Sequence, residues 1–128
     1  MQTPAVPFFI EHLYQGFATA NGLARMTPEG LTLEFEVKDA VVGVVRTGLR
    51  QVHIDLDHLG GVELITGWFT TKLRIRTTTM AAMSEVPGDH TDCIQLGVKR
   101  QNRAIANALA SAIALRLSER QLERLGRG

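Results

Sequence analysis

The amino-acid sequence predicts a mainly β domain with one C-terminal helix: an antiparallel barrel or sandwich of about seven strands capped by a long α-helix. Three observations carry this. Short segments of alternating apolar and polar residues follow one another between turn signals across residues 21–98. Residues 98–125 then contain no Gly or Pro and are rich in Ala, Leu, Arg and Glu, the strongest helix formers. Finally, 128 residues make room for one hydrophobic core of domain size and not two.

The first segment, residues 1–19, is aromatic-rich and stands ahead of a domain spanning 20–128. It holds three of the five Phe and the only Tyr, Tyr14. Phe9, Leu13 and Phe17 fall at i, i+4 and i+8 behind Pro7, which suits a helix start, so a helix is the preferred reading. Phe8, Ile10, His12 and Tyr14 also alternate as a strand would. Either way the segment must pack against the parent core or a second subunit.

The middle is read by its alternation. Residues 22–26 and 31–38 flank Thr27-Pro28-Glu29-Gly30, with Pro at the second turn position and Gly at the fourth, so they form a hairpin. On its second arm Leu33, Phe35 and Val37 face the core, and Glu34, Glu36 and Lys38 face water. Residues 40–48 are a loop or a short strand. Gln51-Val52-His53-Ile54-Asp55-Leu56 turns Val52, Ile54 and Leu56 inward; Asp57-His58-Leu59-Gly60-Gly61 breaks the strand and Val62-Glu63-Leu64-Ile65-Thr66 resumes it. Gly67-Trp68-Phe69 is the next turn, and Thr71-Lys72-Leu73-Arg74-Ile75-Arg76-Thr77 alternates again. Residues 80–92 contain Pro87-Gly88 and no period, which predicts an irregular loop. A last strand places Ile94, Leu96 and Val98 inward. The helix then runs over about residues 100–124, with Ile105, Ala108, Leu109, Ala112, Ile113 and Leu117 as its apolar face and Gly126 as its stop. Leu115, Leu122 and Leu125 lie off that stripe and offer an apolar edge to a partner.

Composition narrows the function. Fourteen Lys and Arg against thirteen Asp and Glu leave a net charge of +1, so no global field draws the chain onto nucleic acid. A single cysteine, Cys93, excludes an internal disulfide and fits a reducing compartment. No apolar run approaches the length of a membrane span, and the first residues lack the basic start and apolar run of a secretory signal. A soluble, cytoplasmic protein is expected. The sequence also lacks a nucleophile elbow, a phosphate-binding Gly-rich loop, a dinucleotide fingerprint and a His-Glu-x-x-His metal motif, so no enzyme activity and no cofactor is expected.

In its order of elements the chain resembles the bacterial pleckstrin-homology-like domains. The resemblance is carried by Thr27-Pro28-Glu29-Gly30-Leu31-Thr32-Leu33-Glu34, by residues 52–63, by Lys72-Leu73-Arg74-Ile75-Arg76-Thr77, by Val86-Pro87-Gly88, and by Ile94-Gln95-Leu96 running into the helix at Arg103-Ala104. It covers about residues 20–117. It implies a scaffold for peptides, lipid headgroups or further copies of itself. Phosphoinositide-binding members carry several cations around the loop between their first two strands, whereas residues 22–36 here hold only Arg25. That departure argues against phosphoinositide recognition at the usual site, because a headgroup needs several convergent cations.

Four local features are candidate sites. His53, Asp55 and Asp57 share one strand face with His58 beside them, a ligand set for zinc or manganese. The string looks like the His-x-His-x-Asp-His motif of the metallo-β-lactamase fold, with aspartate in place of the second histidine, in a chain too short for that architecture. The plainer reading is a solvated face whose carboxylates pair across strands with Lys72, Arg74 and Arg76. Those three cations, and Lys99, Arg100 and Arg103 at the helix start, are candidate anion or acidic-lipid surfaces; their alternative is charge balance against Glu34, Glu36, Asp55, Asp57 and Glu63. Asp89-His90-Thr91-Asp92-Cys93 could bind a metal or supply a Cys/His pair, but Cys93 begins a strand and reads as a small buried residue. Trp68 and Phe69 at a hairpin tip are costly to leave in water and point to a partner, the alternative being burial under an adjoining loop.

These readings converge on a non-enzymatic binding or assembly module that self-associates or binds another protein, with Phe9, Leu13, Phe17, Trp68, Phe69 and Leu122 as its expected interface. A membrane or lipid-surface module is the alternative, and a small metal-dependent enzyme built on His53, Asp55, Asp57 and His58 the second alternative.

Overall fold

The computed structural model describes residues 5–13, 18–39, 48–84, 86–87 and 93–126. They form seven strands, β1 (Ala5–Leu13), β2 (Ala18–Thr27), β3 (Gly30–Asp39), β4 (Arg50–Asp55), β5 (Leu59–Thr66), β6 (Thr71–Thr77) and β7 (Ile94–Val98), with a short helix α1 (Met80–Ser84) and a long one, α2 (Arg103–Gly126). The strands make one sheet in the order β4-β3-β2-β1-β7-β6-β5, and every pairing is antiparallel. The expected architecture, a mainly β domain capped by one C-terminal helix, is the one observed.

Two meanders build the sheet. β1 to β4 lie side by side in chain order, β5 to β7 do the same, and β1 joins β7 where Phe9 lies opposite Gly97. Alternation supplies the core: Leu31, Leu33 and Phe35 on β3, Val52 and Ile54 on β4, Leu73 and Ile75 on β6, and Ile94 and Leu96 on β7 are all buried. The Thr27-Pro28-Glu29-Gly30 signal forms the expected hairpin, with Thr27 opposite Gly30 and the Gly30 N–H donating to Thr27 Oγ1 at 3.2 Å. A single 3₁₀ turn, Leu56–His58, carries the chain from β4 to β5. It is tied at both ends, because the Leu56 N–H donates to the Glu29 carbonyl and the Thr78 N–H to the His58 carbonyl, each at 2.9 Å.

Three expectations are corrected. Residues 5–13 form a strand and not a helix, because β1 is paired by β2 on one side and β7 on the other, which satisfies its backbone as a strand. Val6, Phe8 and Ile10 point into the core, and an irregularity in register between Ile10 and Leu13 brings Leu13 to the same buried side. The loop expected over residues 80–92 begins with helix α1, where Thr79 Oγ1 accepts the Ala82 N–H at 3.2 Å in the manner of an N-cap. On α2 the buried stripe is Ala106, Leu109, Ala110 and Ile113. Ile105 and Ala108, expected inward, are exposed, and Ala112 is half-buried. This stripe packs mainly on β5 and also meets β1, β2 and β6, so the helix covers an open side of the sheet. Tyr14, Phe17 and the stretches 40–47 and 88–92 lie outside the described residues.

Candidate binding surface at the hairpin tip

The β5–β6 connection is a four-residue turn closed by the Gly67 N–H donating to the Thr70 carbonyl at 2.7 Å, just beyond the Thr66–Thr71 pair. Its two central residues are Trp68 and Phe69. They project away from the body with 89% and 95% of their surface exposed, and are not tucked beneath a neighbouring loop. Two large aromatic side chains fully in water cost free energy that an isolated domain does not recover.

Register decides what surrounds the tip. Thr71 lies opposite Val98 and Lys72 opposite Gly97, so the start of β6 runs beside the end of β7. Neighbouring strands lie about 4.8 Å apart, which places Lys99 and Arg100, the residues that leave β7, at the same end of the sheet as the tip. Lys72, Lys99 and Arg100 are all exposed. No acidic residue occurs between Ile65 and Lys72, or between Gly97 and Arg103. A cleft of about 300 Å³ adjoins this end, lined by residues that include Pro7, Phe9, Asn21, Lys99 and Gln101.

Further down the hairpin the charges are partly answered. Arg74 faces Glu63 across the strands at 3.9 Å, and a depression of about 400 Å³ lies between Glu63, Arg74, Arg76, Cys93 and Gln95. Three of the other acids offered as balancing charges are engaged elsewhere, Asp55 with His53 at 3.2 Å. Glu34 is paired with Arg25, and Asp57 with Arg120 and Arg124, the latter at 3.0 Å. Cross-strand balance of the β6 cations is therefore met only at Glu63 among the described residues. Arg103 is half-buried at the start of α2, and its Nε, like that of Arg74, has no hydrogen-bond partner among the described residues.

The histidine and aspartate string does not converge. His53 sits on the exposed face of β4, with Nδ1 2.9 Å from Thr32 Oγ1 and Nε2 3.2 Å from Asp55 Oδ1. Asp57 is turned toward α2, where the hydrogen bond and positive charge of Arg120, with Arg124 behind it, hold its carboxyl below the usual carboxylate range. Among the described residues no group of three His, Cys, Asp or Glu side chains could hold a metal ion.

Of the other residues expected at an interface, Leu13 is buried in the core, Phe9 is half-buried with its ring against Gly97, and Leu122 is exposed near the end of α2. Phe17 lies outside the described residues. Sequence reasoning missed Arg120 and Arg124 as the partners of Asp57; the i, i+4 spacing of Arg116, Arg120 and Arg124, which sets three cations on one helix face, was the signal for them. Among the described residues no helix is long and apolar enough to cross a membrane. The chain matches no family model, no curated protein and no solved structure.

Proposed function

We propose that this chain is a non-enzymatic, self-associating binding module whose contact element is the β5–β6 tip, and that its target is an acidic lipid surface. The observation that carries the reading is the near-complete exposure of Trp68 and Phe69 beside Lys72, Lys99 and Arg100. Aromatic side chains partition into the headgroup region of a bilayer, where an apolar body and a polar edge are both accommodated. Each cation held near an acidic leaflet contributes about 1 kcal/mol, so the three give roughly 3 kcal/mol that salt removes. Neither of the two segments, residues 66–71 and 98–102, carries an acidic side chain that would repel an acidic surface. The resemblance to pleckstrin-homology-like domains supports a binding scaffold without choosing its ligand.

Co-sedimentation with vesicles tests this. The full chain is expected to pellet with vesicles containing phosphatidylserine at low salt, to be released as salt rises, and to ignore purely zwitterionic vesicles. Trp68→Ser with Phe69→Ser lowers binding at least tenfold, and Lys99→Gln with Arg100→Gln lowers it and flattens the salt dependence. Absence of binding to acidic vesicles at low salt, or binding indifferent to both pairs of substitutions, removes the lipid reading.

A further inference from the structure

An exposed helix face ordinarily carries the charges, and the face toward the core carries the apolar residues. On α2 the arginines are engaged away from the exposed apolar positions: Arg120 and Arg124 reach Asp57, and Arg116 lies beside the exposed Glu119 and Glu123 of the same helix. The outward face instead runs Ala104, Ala108, Ser111, Leu115, Ser118, Leu122, Leu125, every one of them exposed and none of them charged. The intervals are 4, 3, 4, 3, 4 and 3, the alternation of the a and d positions of a coiled-coil seam. Leu115, Leu122 and Leu125 leave 62%, 67% and 69% of their surface in water.

We infer that this seam is the site of self-association, and that its occupant is the same seam of a second copy, running antiparallel. The inference rests on the self-associating half of the proposed function and supplies its surface. The spacing is self-complementary in one orientation. With a two-fold axis between positions 116 and 117, Leu115 meets Ser118 of the other copy, Leu122 meets Ser111 and Leu125 meets Ala108, so each leucine lies on a small residue. In the parallel orientation leucine would meet leucine and serine would meet serine, leaving layers that are alternately crowded and empty. The flanking positions agree. Glu119 faces Ala112 and Gln121 faces Ala114 across the antiparallel seam, so no like charges meet. A two-fold pairing of this kind uses one patch twice and closes as a dimer.

Sedimentation velocity on the full chain, run up to about 500 µM, reads the outcome. The wild type is expected to double its mass with concentration. Leu115→Glu with Leu122→Glu, both at exposed positions, stays monomeric with an unchanged melting profile, while Trp68→Ser with Phe69→Ser still dimerises. Orientation is read by oxidising a mixture of Ser111→Cys and Leu122→Cys chains, which cross-link to each other while Ser111→Cys alone does not. A dimer that survives the two glutamates, or that is lost only with the tip residues, overturns the seam and leaves self-association standing. A wild type that stays monomeric overturns both, and self-linking of Ser111→Cys overturns the antiparallel pairing.

Discussion

The junction of the two meanders offers a sharp test of the packing, because one glycine there is covered by one ring. A Cβ placed on residue 97 would fall 2.4 Å from Cε2 of Phe9, 2.6 Å from Cζ and 2.8 Å from Cδ2. In Gly97→Ala the ring must retreat by about 1 Å, and overpacking of this kind costs about 1–3 kcal/mol. Phe9 is half-buried, so its ring has room to swing toward solvent and the cost falls in the middle of that range. Replacing Gly by Ala in a strand returns about 0.5–1 kcal/mol of backbone entropy, which leaves a net loss of about 1 kcal/mol. For a chain of this size that lowers Tm by roughly 3–6 °C. The decisive assay is a thermal or urea double-mutant cycle with Phe9→Ala. Once the ring is gone, Gly97→Ala should become neutral or stabilising, giving a coupling of about 2 kcal/mol. A Gly97→Ala protein as stable as wild type while Phe9 is present, or a loss unchanged when Phe9 is removed, refutes the packing drawn at this junction.

Two further outcomes follow from other contacts. Gly22→Ala places a Cβ 1.9 Å from the Glu34 carbonyl oxygen and 2.8 Å from the Phe35 Cα, both backbone of the paired strand, which cannot swing aside. It should cost about 3 kcal/mol or more and lower Tm by about 10 °C, and a near-normal melt contradicts the closeness of β2 and β3. The folded chain depresses the Asp57 pKa, so its bond to Arg120 and Arg124 is fully present above the unfolded carboxylate pKa and is lost as pH falls through the lower folded value. Asp57→Asn should therefore loosen the last turns of α2 at neutral pH, read as faster amide exchange, with the difference from wild type vanishing in acid; a difference that persists in acid contradicts it.

Much of the sheet was legible because alternation and turn chemistry agreed. Leu33, Phe35 and Val37 on β3, and Val52 and Ile54 on β4, went inward as their spacing required. The first strand was harder, since Phe9, Leu13 and Phe17 mimic a helical stripe, while the pairing that makes residues 5–13 a strand comes from β2 and from residues about ninety positions away on β7. Helix α2 misled only at the margin of its stripe. Leu109 and Ile113 meet the sheet, and Leu115, Leu122 and Leu125 stay outside as their spacing required. Ile105 and Ala108, expected inward, are exposed because the stripe that meets the sheet runs through Ala106 and Ala110 instead. The tip aromatics were visible in the sequence, but their neighbours were not. Lys99 and Arg100 join Trp68 only through the register of β6 on β7, which is long-range information.

Trp68 is the only tryptophan in the chain and stands at the centre of the proposed contact, so its own fluorescence tests the central claim directly. In buffer its emission should be that of an indole in water, open to a soluble quencher. On addition of phosphatidylserine vesicles at low salt the emission should move to shorter wavelength and become shielded from the quencher, and salt should reverse both changes. Emission that stays water-like and open to quencher in the presence of acidic vesicles would contradict the lipid-binding tip.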